Sequence, residues 1–193
     1  MANVAFPNES EDYRAARNAL LQSEIALRAQ IEAVARERRA LPPGGEIPQD
    51  YVFERIGAYQ RPEKIRLSEL FGRHETLILY SFMFGPERDN PCPGCTHLLD
   101  GMEGAARHIG ERTSLWIVAK SPIARLAAWA HERGWEHLQL LSTAGNSYDA
   151  DYFGDTSKFS PALRAPHNVP DGENWDETIF NVFLGDGETI RHF

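Results

Sequence analysis

Two apolar, β-prone runs separated by a helical pattern constrain the fold of this chain more than any other feature. TLILYSFMF spans residues 76–84 and LWIVA spans residues 115–119, and each has the composition of a strand buried on both faces. Between them, apolar residues recur at helical spacing from Cys92 to Ile109. A strand, a helix and a second strand in this order favour parallel pairing of the two strands through a helical crossover. The sequence therefore predicts an α/β fold.

The segments on either side extend this unit into a central mixed sheet flanked by helices. We expect strands at 51–53, 64–67 and 137–141, a helical turn at 68–72, a helix from 122 to about 132 and a terminal hairpin around 185–187. Residues 142–174 are rich in Gly, Asp, Asn, Ser and Pro, with aromatic residues interspersed. A loop of this length inside a compact domain is usually functional or mobile.

A long N-terminal helix is expected before the sheet begins. Ser10 suits an N-cap, acidic residues follow it, and the PPGG sequence at 42–45 ends the helical pattern. We therefore predict an N-terminal helical extension at 1–45 and a separate domain at 46–193. The apolar face of the helix fits either packing on its own domain or a homodimer contact, and the sequence does not decide between the two.

Composition and charge exclude several classes of function. A chain of 193 residues fits one domain with an extension, and 42% apolar residues suffice for a core. A net charge of −8 argues against a basic surface for nucleic acid. No apolar run approaches the ~20 residues that a membrane helix needs, so we expect no membrane partner. The N-terminus lacks the pattern of a secretory signal, which favours a cytoplasmic protein.

Both cysteines of the chain lie in one Cys-Pro-Gly-Cys sequence where the predicted helix begins. Unpaired N–H groups and the partial positive charge of a helix N-terminus stabilise a thiolate. Cys92 would therefore have a lowered pKa and act as the attacking thiol. Cys95, one turn later on the same face, would resolve the mixed disulfide. Pro93 suits the first helical turn, and the Pro93–Gly94 pair influences the redox potential.

The cysteine pair predicts a thiol–disulfide oxidoreductase that needs no bound cofactor. Its partners would be a disulfide-containing protein or small molecule and a cellular thiol that reduces the pair again. His97 and Arg88 are candidate supporting residues, because either side chain could tune or hold the Cys92 thiolate. Both side chains suit an exposed surface equally well.

Other interpretations of the pair differ in strength. Zinc normally takes four ligands, and Cys92, Cys95 and His97 supply three at most, so we assign no metal ligands and keep a metal-binding site as the less favoured alternative. Covalent haem attachment requires a histidine directly after the second cysteine, where this chain has Thr96. A disulfide staple across so short a loop would contribute little stability. A non-catalytic binding or redox-sensing module, acting through the long loop and the N-terminal helix, stays open.

Several segments of the chain are similar to those of a known family. The segments are ERRALP, DYVFE, LSELF, LILYSFMFGPERDNPCPGC, LWIVAKSPIARLAAWAHERGW and YDADYFG. Together they resemble a bacterial thioredoxin-like family of unknown function that is often labelled predicted dithiol–disulfide oxidoreductase. The resemblance covers nearly the whole chain. It implies a thioredoxin-like fold in which Cys92 attacks and Cys95 resolves.

The sequence also departs from related families. Thioredoxins have a cis-proline before the strand that faces the active site, and the matching stretch at 177–180 contains no proline. This difference argues against docking of an extended protein substrate in the manner of thioredoxin. Peroxiredoxins place Pro-x-x-x-Thr-x-x before the nucleophile, whereas Gly85 and Asp89 occupy the matching positions here. The helix that usually closes the fold has no counterpart between the hairpin and residue 193.

Overall fold

The computed structural model describes residues 6–57 and 60–193. The chain divides into two compact units at the boundary between Pro42 and Pro43. The first unit contains α1 (Glu11–Arg39), none of whose residues is buried. Ser10 caps α1 as predicted, because its Oγ accepts a hydrogen bond from the Tyr13 N–H at 3.2 Å. In the part of the chain described, no helix is both long and apolar enough to cross a membrane.

The second unit is built on one mixed sheet. Its strands in the described residues are β1 (Val52–Ile56), β2 (Pro62–Arg66), β3 (Thr76–Ser81), β4 (Ser114–Ala119), β5 (Leu140–Ser142), β6 (Phe180–Gly185) and β7 (Ile190–His192). They lie in the order β2-β1-β5-β4-β3-β6-β7. β3, β4 and β5 are parallel, and all other neighbours are antiparallel. The predicted α/β class, mixed sheet and long N-terminal helix are confirmed.

The helices of this unit flank the sheet and follow the strands closely. They are α2 (Pro93–Glu103), α3 (Ala106–Ile109), α4 (Ile123–Arg133), α5 (Tyr148–Asp151) and α6 (Pro161–His167), with a 3₁₀ turn at Leu67–Phe71. The helix predicted from Cys92 to Ile109 is therefore divided into α2 and α3. Gly134 ends α4 in the left-handed conformation (φ 71°), which glycine adopts without steric cost.

The predicted strand at 137–141 is wrong in its first half. The carboxylate of Glu103 accepts hydrogen bonds from the N–H groups of Glu136, His137 and Leu138 at 2.9, 2.9 and 3.0 Å. These N–H groups are therefore bound to α2 rather than to a neighbouring strand, and β5 begins only at Leu140. The apolar pattern of the segment could not reveal this long-range competition.

The sheet separates two apolar clusters. Along β3, Leu77 and Leu79 belong to one cluster, whereas Tyr80 belongs to the other. The second cluster also contains Cys95 from α2 and Leu126 from α4. Burial on both faces explains why β3 and β4 read as nearly continuous apolar runs. Because Cys95 belongs to this cluster, the core also holds α2, the helix that begins at the two cysteines.

The long segment between β5 and β6 has structure of its own, which the sequence did not predict. It contains α5 and α6, and the guanidinium of Arg164 connects its distant parts. Arg164 donates to the carbonyls of Thr156, Pro170 and Glu173 at 2.9, 3.1 and 2.9 Å. Such internal bonds give the segment a defined surface rather than that of an unstructured loop.

Candidate dithiol site

The backbone on both sides of Cys92 is fixed by hydrogen bonds. Its N–H donates to the carbonyl of Met83 at 3.0 Å, in the loop that leaves β3. Its carbonyl accepts from the N–H and the hydroxyl of Thr96, each at 3.0 Å. Cys92 is the N-cap of α2 and Pro93 lies in its first turn, the positions expected from the sequence. The first cysteine is therefore held directly at the helix N-terminus.

The two thiols differ in exposure. Cys92 is partly exposed, whereas Cys95 is 4% exposed and packs in the apolar cluster under α2; both are free. Burial by itself raises the pKa of Cys92. The N–H and thiol of Cys95, the N–H of Gly94 and the charge of Arg88 outweigh burial and lower this pKa below its ordinary value. The site thus presents a partly exposed thiol with a lowered pKa, with a second, buried thiol beside it.

Tyr80 brings a hydroxyl group to the cysteine pair from the carboxyl end of β3. Its side chain is 3% exposed and packs on Phe180 with ring centres 4.6 Å apart. Burial raises the pKa of Tyr80, a hydrogen bond with Cys95 raises it further, and a hydrogen bond with Thr178 lowers it. Cys95 and Thr178 are thus the neighbours that influence the ionisation of the Tyr80 hydroxyl. Sequence analysis missed Tyr80, because an aromatic residue in a buried strand is ordinarily a core residue.

A carboxylate from a distant segment holds the loop before Cys92. Asp176 accepts hydrogen bonds from the N–H of Gly85 at 2.6 Å and from Nε of Arg88 at 3.2 Å. Its other oxygen lies 3.5 Å from Nζ of Lys120. Asp176 thereby positions Arg88, whose charge favours the Cys92 thiolate. No local pattern predicts this contact, since Asp176 lies 91 residues after Gly85.

Arg125 of α4 holds the same loop from the helical side. Its guanidinium lies 4.2 Å from the centre of the Phe84 ring. It also donates to the carbonyls of Gly85 at 3.2 Å and Asp89 at 3.0 Å, and to that of Arg88. The loop that leads to Cys92 is therefore fixed by side chains from two directions. Arg125 was not among the predicted site residues.

A polar cluster lies at the same edge of the sheet, where the parallel strands end. Asp149 is buried and accepts a hydrogen bond from the hydroxyl of Thr143. Burial raises the pKa of Asp149 to about 6, while Thr143 and Lys120 oppose the shift and the carboxylates of Asp155 and Asp176 add to it. Nζ of Lys120 lies 3.2 Å from Asp155. The cluster therefore joins the long segment between β5 and β6 to the end of β4.

The predicted supporting residues Arg88 and His97 lie in different surroundings. Arg88 acts on Cys92, whereas His97 is exposed on α2. The pKa of Asp100 is lowered chiefly by a hydrogen bond from Arg133, and the charge of His97 makes a smaller contribution to the same shift. A methyl group at Gly94 would lie 3.8 Å from Sγ of Cys92, an ordinary contact, so space does not require glycine there.

Two further points from the sequence concern a metal site at the cysteine pair and a cis peptide bond in the stretch at 177–180. In residues 6–57 and 60–193, no group of three or more His, Cys, Asp or Glu side chains is arranged to hold a metal ion. The peptide bonds of these same residues, including those of the stretch at 177–180, contain no cis bond. The carbonyl of Ile179 in this stretch accepts a hydrogen bond from the Ser81 N–H at 2.9 Å.

Comparison with known proteins shows a family and a fold. The family model described as "Bacterial protein of unknown function (DUF899)" matches residues 4–193. No curated protein matches the chain. Among solved structures, the chain is similar to the antioxidant protein (1-Cys peroxiredoxin) of Plasmodium falciparum, with a TM-score of 0.53 and 12% identity over 75% of this chain and 78% of that chain.

Two other solved structures show the same likeness. For the reduced 2-Cys peroxiredoxin of Plasmodium vivax, the TM-score is 0.51 at 16% identity, covering 76% of this chain and 81% of that chain. For reduced Prx3 of Vibrio vulnificus in complex with H₂O₂, it is 0.51 at 12% identity, covering 78% and 84%. At these identities the likeness shows the fold alone. It confirms the predicted thioredoxin-like fold, in the form that peroxiredoxins have.

Proposed function

The chain belongs to the bacterial DUF899 family of unknown function, and we propose that it is a thiol–disulfide oxidoreductase acting through Cys92 and Cys95. The observation that carries the proposal is the position of Cys92 at the N-cap of α2, with a lowered pKa and a second thiol one turn away. A thiolate is the reacting species in disulfide exchange, and a neighbouring thiol is what completes the reaction.

The proposed reaction has two exchange steps. The Cys92 thiolate attacks one sulfur of the substrate disulfide, forms a mixed disulfide and releases the first substrate thiolate. The Cys95 thiolate then attacks Sγ of Cys92, forms the Cys92–Cys95 disulfide and releases the second substrate thiolate. Two electrons pass from the dithiol to the substrate, and the two thiol protons are released or taken up by the products. A cellular thiol reductant restores the dithiol and is itself oxidised to a disulfide.

Residues around the pair have separate roles in this scheme. Arg88 favours the Cys92 thiolate before attack, and Asp176 positions Arg88. Tyr80 supports the second step, because its hydroxyl donates a hydrogen bond to the Cys95 sulfur as that sulfur becomes a thiolate. The reducing thiols of the cytoplasm suit such a protein, which would act there on protein or small-molecule disulfides.

A redox titration combined with a disulfide-reduction assay tests the proposal. The wild type should interconvert reversibly between dithiol and disulfide, and Cys92→Ser should lose at least ~100-fold in rate because the attacking sulfur is gone. Cys95→Ser should instead accumulate a mixed disulfide on Cys92, detectable by mass spectrometry. A pair that cannot be oxidised reversibly, or full activity in Cys92→Ser, would overturn the proposal.

A non-catalytic binding or redox-sensing module is the second candidate. The observation that favours it is α1, which exposes apolar residues along its length: Tyr13, Leu20, Leu21, Ile25, Leu27, Ile31 and Val34. An exposed apolar face of this kind suits a protein partner, and a second copy of the chain would form a homodimer. A Cys92 pKa at its ordinary value with slow alkylation would favour this candidate over catalysis.

A further inference from the structure

The long segment between β5 and β6 builds an apolar pocket of about 290 Å³. The pocket is lined by Phe153, Phe159, Leu163, His167, Glu177, Thr178 and Ile179. Phe159 is buried, whereas Phe153 and Leu163, which also line the pocket, are each 44% exposed. The pocket therefore presents apolar surface that the fold itself does not cover.

The walls of the pocket are held in place by their own contacts. Phe159 packs against Phe153 with ring centres 5.9 Å apart, and edge-on against His167 at 5.3 Å. Nδ1 of His167 lies 2.9 Å from the carboxylate of Glu177. Phe153 has a positive φ of 56°, a conformation that costs energy for a bulky residue and often accompanies a functional site. The pocket is thus pre-formed, and the backbone conformation of Phe153 in its wall costs energy.

Contacts at the end of β3 connect the pocket to the apolar cluster that holds Cys95. Ile179 lines the pocket, and its carbonyl accepts a hydrogen bond from the Ser81 N–H at 2.9 Å. Tyr80, beside Ser81, packs on Phe180 with ring centres 4.6 Å apart and belongs to the same cluster as Cys95. A group that occupies the pocket would therefore lie near the carboxyl end of β3, next to the cluster that contains Cys95, where a substrate of the dithiol would extend.

The size and lining of the pocket define what it would hold. Cavities for small-molecule ligands are usually about 300–1,000 Å³, so this one, at the lower end, suits a single bulky side chain. The surface that lines the pocket is almost wholly apolar, and His167 and Glu177 at its edge are paired with each other. The carboxylate of Glu177 would repel an acidic side chain. These features favour a peptide with a bulky apolar residue.

We propose that the pocket binds the bulky apolar side chain, such as Phe or Leu, next to the half-cystine of a peptide disulfide that the dithiol reduces. The inference rests on the proposed function and narrows its substrate class. It requires no extended strand pairing at residues 177–180, because recognition comes from a side chain entering a pocket. The segment that the sequence marked only as a long loop then determines specificity.

Three peptide disulfides that differ only in the residue beside the cysteine test this inference. With Phe, Ala or Asp there, the wild type should show a kcat/KM for the Phe peptide roughly tenfold or more above that for the Ala peptide, with Asp lowest. Leu163→Ser should reduce the rate for the Phe peptide to that for the Ala peptide and leave the Ala rate unchanged. Leu184→Ser is the matched control, since Leu184 is 39% exposed on β6 outside the pocket, and it should keep the preference. Phe153→Ser replaces Leu163→Ser if the latter does not fold.

The outcomes separate this inference from the proposed function. Equal rates for the three peptides, or an undiminished preference in Leu163→Ser, overturn the inference while leaving the oxidoreductase intact. Absence of reduction of every disulfide overturns the proposed function. In that case calorimetric binding of the S-methylated peptides decides on the pocket alone: tighter binding of the Phe peptide that Leu163→Ser abolishes supports a site for a bulky apolar side chain, and equal binding contradicts it.

Discussion

Cys92 and Asp149 lie at the same edge of the sheet, yet their pKa values shift in opposite directions. Burial raises both. At Cys92 the N–H groups at the start of α2, the Cys95 thiol and the charge of Arg88 more than compensate. At Asp149 the Thr143 hydroxyl and the Lys120 charge lower the pKa too little to compensate for burial, partly because neighbouring carboxylates raise it.

The two sites differ both in depth and in hydrogen-bond donors: Cys92 is only partly buried and has several donors, whereas Asp149 is almost fully buried and has the Thr143 hydroxyl. A helix N-terminus supplies several N–H groups to one acceptor at no further cost in conformational entropy. The polar cluster around Asp149 instead shares one Lys120 among three carboxylates. The first arrangement lowers the pKa of a thiol, and the second makes the stability of the fold depend on pH.

Asp149→Asn should give the largest change in stability. Asp149 has a pKa of about 6 in the folded chain and about 3.9 when unfolded, so the folded chain binds more protons between those values. The free energy of unfolding of the wild type therefore falls as pH rises from about 4 to 6. Without a charge to bury, Asp149→Asn should be more stable than the wild type at pH 8, by about 3 kcal/mol at most. Urea denaturation at pH 4 and pH 8 measures the difference, which should vanish at pH 4.

Asp151→Asn is the matched control for that experiment. Burial raises the pKa of Asp151, but hydrogen bonds from Lys158, Ser147 and Tyr51 outweigh it and lower the pKa overall. The folded chain therefore favours this carboxylate in its charged form, and its replacement should destabilise at pH 8, opposite in sign to Asp149→Asn. Loss of stability at pH 8 in Asp149→Asn would contradict the role assigned to burial at that site.

Tyr80→Phe should produce a smaller, kinetic effect. The ring and its contact with Phe180 remain, but the hydrogen bond to the Cys95 sulfur is lost. We expect attack by Cys92 to be unchanged and the second exchange step to slow several-fold, in line with the ~1 kcal/mol of an ordinary hydrogen bond. Quenched single-turnover reactions analysed by mass spectrometry would show the mixed disulfide accumulating.

Tyr51→Phe provides the control for Tyr80→Phe. Tyr51 is also buried, and its hydroxyl donates to Asp151 at 2.8 Å, away from the thiols. Loss of that hydroxyl should leave both exchange steps unchanged. A slowed first step in Tyr80→Phe, or equal slowing in both variants, would mean that the hydroxyl acts on overall packing rather than on Cys95.

Local sequence patterns predicted the parts of the site that local structure creates. The buried run of β3, Pro93 in the first turn and the helical spacing after it place Cys92 at a helix N-terminus. Tyr80, Asp176 and Arg125 could not be predicted, because their roles depend on contacts formed across the fold. The apolar pocket was hidden for the same reason, since its walls come from separate parts of one irregular segment.

The pKa of the Cys92 thiol tests the central claim most directly. It is measured as the pH dependence of alkylation in Cys95→Ser and in the wild type, with thiolate absorbance as a second readout. The wild type should titrate below the ordinary value of about 8.5, and Arg88→Gln should raise the midpoint while Arg88→Lys does not. A wild-type midpoint at or above 8.5 that Arg88→Gln leaves unmoved would contradict the account of Cys92 as an activated thiol.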